Sequence, residues 1–390
     1  MKAKVIHIIT KLELGGAQQN TLYTVEHLDR ERFEVALWAG GGGILNDDAE
    51  KLEDVDFTIV PELVREIRPA RDFAALWQLY TMLRDEVRFS EVPVIVHTHS
   101  SKAGILGRWA AKLAGVKHIV HSYHGFGFND FQGWPVRTAF VLAEKVTRRA
   151  THEFIAVSRA NMDKAVALGL APEDSIRVIR SGIDISMFEK KDIDVSAKKM
   201  DLGIPADAPV ALMVACMKPQ KNPVDFVRLA EEVTKEVPEA RFVAAGDGVL
   251  REEMEKAIQG RGLGDRAILL GWRRDVEELM WSSDVLVLTS LWEGLPRVFP
   301  QAMAAALPVV GTRVDGGPEA IEDGVNGWLF PPGDVHGMAG KVAELLRSPE
   351  LARQMGEAGR ARVREFDIDL MVRQQEELYE KMLEHRLNSR

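Results

Sequence analysis

The chain has 390 residues, 46% of them apolar and 28% charged, with a net charge of −9 spread over mixed signs. That length exceeds one ordinary core and points to two domains, while the composition argues against disorder and the charge against nonspecific nucleic-acid binding. The longest apolar runs, such as "VALMVACM" (210–217), fall short of the roughly 18 residues a membrane span needs, and a single cysteine excludes an internal disulfide.

The opening "MKAKVIHIITKLELGG" reads as a first strand rather than a secretion signal, so a cytoplasmic protein is expected. Short β-branched runs then alternate with helical segments: "KVIHIIT" (4–10), "FEVALWA" (33–39), "VPVIVHTH" (92–99), "KHIVHSYH" (117–124), "EFIAVS" (153–158) and "IRVIRSG" (176–182). Near-continuous Val/Ile runs of this length suit strands buried on both faces of a parallel sheet. "LGGAQQN" (14–20) follows the first strand, where Gly15 and Gly16 permit a tight turn into a helix whose N–H groups suit an anion. It lacks G-x-G-x-x-G, so no dinucleotide fingerprint is present. "GGGG" (40–43) reads as a flexible loop after the second strand.

Residues 65–88, "REIRPARDFAALWQLYTMLRDEVR", interleave Arg with Trp and Tyr at helical spacing. They read as an amphipathic surface helix or as a docking face for an anionic or lipid-linked acceptor. "FNDFQGWPVRTAF" (128–140) is a second candidate for membrane contact, its aromatics fitting acceptor-site walls or core equally well. Four histidines cluster at strand ends. His97 and His99 share a strand face and have the spacing to chelate a metal, but no carboxylate or cysteine accompanies them, so no metal is expected. His124, before "GFGF", is the best placed of the four to reach a polar ligand; the others read equally well as structural.

Residues 184–209, "DISMFEKKDIDVSAKKMDLGIPADAP", are charged and weakly periodic and read as a linker and the approach to a second domain. Alternation restarts with "VALMVAC" (210–216), "ARFVAAG" (240–246), "AILLG" (267–271), "VLVLTS" (285–290) and "LPVVGTR" (307–313), and a last helix spans 368–387. Two βαβ series imply an α/β fold of two doubly wound domains facing a cleft. In such sheets ligands bind beyond the carboxyl ends of the strands. There "CMKPQKNP" (216–223) offers Lys218 and Lys221 beside a helix start, a pairing suited to a diphosphate. "TSLWEGLPRVFPQAMAAALPVV" (289–310) ends a strand at Glu293, turns, and becomes helical. If 296–306 is helical, Glu293 and Gln301 stand up to about 12 Å apart, the span of a sugar and a ribose joined by a diphosphate. "DGGPEAIEDG" (315–324) repeats the plan one strand later.

Together these residues resemble the family 4 glycosyltransferases, retaining enzymes of GT-B fold, over essentially the whole chain and most strongly over 267–334; "VHTHSSKAGILGRWAAKLAGVKHIVHSYHGFGF" (96–128) looks like bacterial exopolysaccharide-type members. The resemblance implies Rossmann-like domains at 1–186 (acceptor side) and 187–366 (nucleotide-sugar side), with 367–390 a helix returning toward the first. It makes Glu293 the contact to donor-sugar hydroxyls, helped by backbone around Gly294, Leu295 and Pro296. Gln301 takes the ribose position, Lys221 the diphosphate and His124 the transferred sugar. Gly16 approaches the phosphates, and Gly246, Trp272 and Arg273 border the base.

Two positions depart from the family pattern. The signature's second Glu is Gln301, and a neutral Cys216 stands where a diphosphate-binding arginine is expected, with Lys218 near enough in sequence to supply charge. The resemblance implies transfer from a nucleotide-sugar, UDP-linked, to a saccharide, lipid-linked or small-molecule acceptor, with no metal or other cofactor, no nucleic acid, and peripheral contact with the inner membrane face allowed. A GT-B-fold epimerase and a non-catalytic sugar-nucleotide-binding protein remain alternatives.

Overall fold

The computed structural model describes residues 2–189 and 193–387. The chain forms two compact units, one from the segment up to Gly182 together with that from Ile368, the other from Ile183 to Asp367. Ile183 N donates to Phe366 O (2.8 Å), and Ile183 bridges Asp367. These contacts tie both crossing points into the second unit.

The first unit holds β1 (Ala3–Lys11), β2 (Phe33–Gly40), β3 (Val55–Ile59), β4 (Val94–His99), β5 (His118–Tyr123), β6 (Glu153–Ala156) and β7 (Ile176–Val178). All pairings are parallel, in the order β3-β2-β1-β4-β5-β6-β7. Right-handed crossovers place helices on both faces, and the strand period of two sorts the side chains between them. Along β1, Val5 and Ile9 join Val25, Leu28, Met371 and Leu378, whereas Ile6 and Ile8 join Ala75, Leu79, Ala103 and Ala110. β3 escapes the sequence reading because "VDFTI" is an edge strand, half-exposed and without a long apolar run.

Of the glycines at 40–43, Gly41 and Gly42 stand exposed after the second strand, where a Cβ on Gly42 would meet nothing within 4 Å, whereas Gly40 and Gly43 are held by packing. A Cβ on Gly40 would lie 2.0 Å from Leu63 O, and one on Gly43 would lie 2.4 Å from Leu12 O, so backbone passes too close for any side chain.

The second unit holds β8 (Val210–Val214), β9 (Arg241–Ala245), β10 (Ala267–Gly271), β11 (Val285–Leu288), β12 (Val309–Thr312) and β13 (Gly327–Phe330). Its sheet is parallel, in the order β10-β9-β8-β11-β12-β13. The expected linker at 184–209 is instead packed structure. Asp184 and Asp194 cap the short helices Ile185–Phe188 and Val195–Asp201, and Trp281 Nε1 donates to Phe188 O at 3.0 Å. Lys199, itself buried, donates to Ala208 O (2.9 Å). Residues 190–192 of that stretch lie outside the described ones.

One feature of the first core is unusual. His7, His97, His99 and His121 are all buried in it. Loss of hydration lowers the imidazole of His7 to about 3 and holds the other three well below their ordinary value. A buried neutral histidine takes up a proton on unfolding below its unfolded value of 6.5. Its contribution to stability is therefore complete above that pH and lost as pH falls through it, by ~1.4 kcal/mol per pH unit and per histidine. For His7 the loss continues down to about 3. Urea unfolding between pH 7.5 and pH 4.5 is expected to show a steep acid loss of stability. His7→Leu should flatten the slope, and an equal slope in a folded variant would contradict the burial account.

Candidate functional site

The strand order of the second sheet reverses between β8 and β11, where the loops leaving the two strands diverge. β8 runs into Ala215–Lys218 and a tight turn, Pro219–Lys221. Asn222, in the left-handed region at φ 43°, then starts the helix Pro223–Glu236. Thr289 Oγ1 lies 3.0 and 2.9 Å from the carbonyls of Lys221 and Asn222, and Leu291 N donates to Gln220 O (2.8 Å). The loop after β8 is thereby fastened to the end of β11.

Glu293 is the centre of this knot. Its Oε1 is ion-paired with Lys221 Nζ and accepts from Ser290 Oγ (2.6 Å). Gln220 Nε2 donates to Trp292 O (2.8 Å) and makes a long contact to Glu293 Oε2 (3.4 Å). Glu293 N donates to Asp315 Oδ2 (2.6 Å), and Gly316 N donates to Gly294 O (3.0 Å), so the loop after β12 closes over the other side. The Glu293 side chain is 6% exposed and that of Lys221 17%. A carboxylate offers about four acceptor positions. Three donors are accounted for, and Oε2 carries only the weak one, so it retains capacity for a hydroxyl.

The helix after this turn is shorter than the expected 296–306, spanning Val298–Ala304 before Ala306 turns to φ 55°. Leu295 and Pro296 are buried within the turn. Gln301 is half-buried, and its side chain has no hydrogen-bond partner among the described residues. Arg297 heads the helix and is not singled out by the sequence. Loss of hydration lowers its guanidinium to about 10 although the residue keeps some exposed surface, so it stays cationic at neutral pH. Cys216 and Lys218 occupy the loop itself, Lys218 N donating to Cys216 O (2.9 Å).

At the neighbouring strand end Gly246 has φ 135°, and a Cβ there would meet Ala215 O at 2.0 Å. Only glycine lets this chain pass the loop after β8. Trp272 is exposed. Arg273 donates through Nε and Nη2 to Asp275 (2.7 and 2.5 Å), which also takes Lys198 Nζ (2.6 Å). These cations hold the Asp275 carboxyl well below its usual range, Arg273 contributing most. The Arg273 fork is thus engaged within the protein.

In the first unit Gly16 opens the helix Gly16–His27, with Gly15 O accepting from Gln19 N (3.0 Å). His124, just past β5, has Nε2 3.0 Å from His99 Nδ1, and His99 Nε2 lies 2.9 Å from His7 Nδ1. His97 sits between Tyr379 OH (2.6 Å) and Ser122 Oγ (2.7 Å), and His121 Nδ1 lies 2.9 Å from Thr98 Oγ1. His7, His97 and His99 offer nitrogens within 4.8 Å of one another, a spacing compatible with an ion. Both nitrogens of His97, both of His99 and Nδ1 of His7 already have partners, so the group reads as a hydrogen-bonded set. His7 is absent from the sequence-based candidates. The register that pairs it with His97 across β1 and β4 is the signal that identifies it.

Among the described residues no helix is long and apolar enough to cross a membrane. Residues 14–187 match the family described as Glycosyltransferase Family 4, and residues 194–362 match Glycosyl transferases group 1. The chain is 33% identical over 339 residues to the UDP-Gal:alpha-D-GlcNAc-diphosphoundecaprenol alpha-1,3-galactosyltransferase of Escherichia coli, covering 86% of this chain and 85% of that one. It is 32% identical over 213 residues to the N-acetyl-alpha-D-glucosaminyl L-malate synthase of Bacillus anthracis, covering 54% and 55%. Among solved structures, Anabaena HepE in complex with UDP-glucose has a TM-score of 0.82 at 20% identity, covering 97% of this chain and 99% of that one. Sucrose-phosphate synthase from Thermosynechococcus elongatus has a TM-score of 0.84 at 20% identity, covering 99% and 100%. Two Rossmann-like sheets, a switch-point knot around Glu293 and a sequence alignment spanning both halves make this chain a family 4 glycosyltransferase of GT-B fold.

Proposed function

We propose that this glycosyltransferase moves a hexose from a UDP-sugar to a lipid-linked or soluble saccharide acceptor, with retention at the anomeric carbon. The observation that carries the reading is the convergence of Lys221, Ser290 and Gln220 on Glu293 at the switch point of the second sheet. In glycosyl transfer an oxocarbenium-like sugar forms while negative charge gathers on the departing diphosphate, so a fixed cation at that oxygen lowers the barrier most. Lys221 supplies that cation and Lys218, on the same loop, a second, so the reading requires no metal ion. On this reading Lys221 exchanges Glu293 for a phosphate when the donor binds. Ser290 and Gln220 keep the carboxylate oriented while Oε2 receives sugar hydroxyls. His124 contacts the transferred sugar and Gly16 approaches the phosphates. Gln301 meets the ribose as a neutral acceptor, Arg273 and Trp272 lie toward the base, and the departing phosphate takes the acceptor's proton.

UDP fits the likeness to HepE, which has been solved with UDP and with UDP-glucose. A lipid-linked acceptor fits the name of the Escherichia coli relative. The surface of the first unit supports it too. The helix Pro69–Phe89 exposes Phe73 and Trp77, with Arg65 exposed in the approach to it, and Phe131 and Trp134 are exposed before and at the start of the helix Trp134–Thr147. Aromatic side chains beside arginines suit the interface of an anionic bilayer, giving peripheral contact.

Two variants probe the donor site with UDP-hexoses. Lys221→Ala should lower kcat by about 10²–10³-fold, the scale for removing one group that stabilises developing charge. Gln301→Glu should tighten UDP-sugar binding about fivefold, for ~1 kcal/mol gained by a charged acceptor, with little change in kcat. Intact turnover in folded Lys221→Ala would remove the diphosphate assignment, and an unchanged Kd in Gln301→Glu would remove the ribose contact. For the membrane reading, the full chain is expected to co-sediment with phosphatidylglycerol vesicles and Phe73→Ser/Trp77→Ser to lose that binding. Equal sedimentation of wild type and variant would contradict it.

A further inference from the structure

The helix Trp134–Thr147 lies on the first unit with its polarity reversed. An amphipathic helix on a globular core ordinarily turns its apolar stripe inward and its polar side to water. Here the buried residues are Glu144 and Thr147. At about 100° per residue, Trp134, Leu142 and Val146 fall within an arc of roughly 120°, with Glu144 and Thr147 opposite. Those three side chains are 77%, 59% and 43% exposed. Pro135 and Ala139, on the same side and also exposed, fill in the strip. We infer that this helix is the element of the first unit that enters a bilayer, its outward strip passing into the acyl layer of an anionic membrane. Such insertion presupposes the peripheral contact proposed above and gives it an element and a depth.

Buried polar anchors fix which side faces out. Glu144 Oε2 accepts from Arg108 Nη2 (2.6 Å), with the two side chains 5% and 0% exposed. Arg108 Nε also donates to Gly104 O (2.7 Å) within its own helix, Ser101–Leu113. The next residue of that helix adds a second anchor, Trp109 Nε1 donating to Thr147 Oγ1 (3.1 Å). Rolling the outer helix to bury Leu142 and Val146 would leave the Arg108 guanidinium enclosed without its carboxylate, a large penalty for a charge held out of water. Phe140 and Val141 supply apolar contact with the core around Tyr123 and Phe154, and both are only partly buried.

The charge around the strip says what covers it. Arg137, Lys145, Arg148 and Arg149 are the accessible charged side chains of this helix and the turn after it, all basic in a chain of net charge −9. Arg137 also reaches Asp130, at 3.4 Å. Apolar side chains ringed by arginine and lysine match the layering of an anionic bilayer, with acyl chains beneath phosphates. A second copy of the chain would bring two basic rims together, and like charges juxtaposed oppose that pairing. Residues 125–133 join the helix to His124, so the membrane face and the side chain assigned to the transferred sugar belong to one short stretch of chain.

The direct test puts a reporter on the strip of the full chain. Leu142→Cys in a Cys216→Ser background is labelled with the polarity-sensitive dye nitrobenzoxadiazole, and Glu31→Cys, at an exposed turn, serves as control. With phosphatidylglycerol vesicles the label at position 142 is expected to brighten and shift to the blue, while that at position 31 does not change. An unshifted label at 142, in protein that sediments with the vesicles, overturns the insertion and leaves the peripheral contact standing. No sedimentation of wild type overturns both. Without any label, Leu142→Ser/Val146→Ser alters only exposed side chains. It should lose vesicle binding while its Kd for a UDP-sugar stays within about twofold. Equal sedimentation of this variant and wild type overturns the insertion. A dimer in solution that the same two substitutions break also overturns it, because the strip would then belong to a second copy.

Discussion

A carboxylate with 6% of its side chain in contact with solvent is tolerable only while charge and hydrogen bonds compensate it, and Glu293 is compensated from three directions. Lys221 and Gln220 come from the loop after β8, and Ser290 comes from the end of β11. Satisfying Glu293 therefore fixes the loop after β8 against the end of β11, where the sheet's strand order reverses. Thr289 adds a second fastening by reaching the carbonyls of Lys221 and Asn222. Neutralising Glu293 would remove a charge and also loosen the loop that carries both lysines.

The first unit meets a related constraint with different chemistry. Its central strands bury imidazoles, which burial holds neutral and which hydrogen-bond to one another, to Tyr379, to Ser122 and to Thr98.

Much of the architecture is legible in the residues because parallel strands buried on both faces need long Val/Ile runs, as in "KVIHIIT" and "VLVLTS". Two of the four edge strands escape that logic: "VDFTI" and "GWLF" are only partly buried and carry mixed patterns. The 184–209 segment misleads for another reason. Its charged residues suggest solvent, yet Lys199 is buried on a carbonyl and Lys198 lies between Asp275 and Glu278. For the site, a carboxylate at a strand end and two lysines after another strand can be read separately. Their contact joins residues 72 apart in sequence and appears only once β8 and β11 are paired. His7 is hidden for the same reason, since its partners come from the neighbouring strand, in His97 and His99, and from the last helix, in Tyr379.

The most direct measurement of the central claim is a crystal structure of the full chain with a non-hydrolysable UDP-hexose. The expected result has Lys221 Nζ moved from Glu293 to the diphosphate, Glu293 Oε2 on a sugar hydroxyl, and Ser290 still donating to the carboxylate. A diphosphate bound elsewhere while Lys221 remains paired with Glu293 would contradict it.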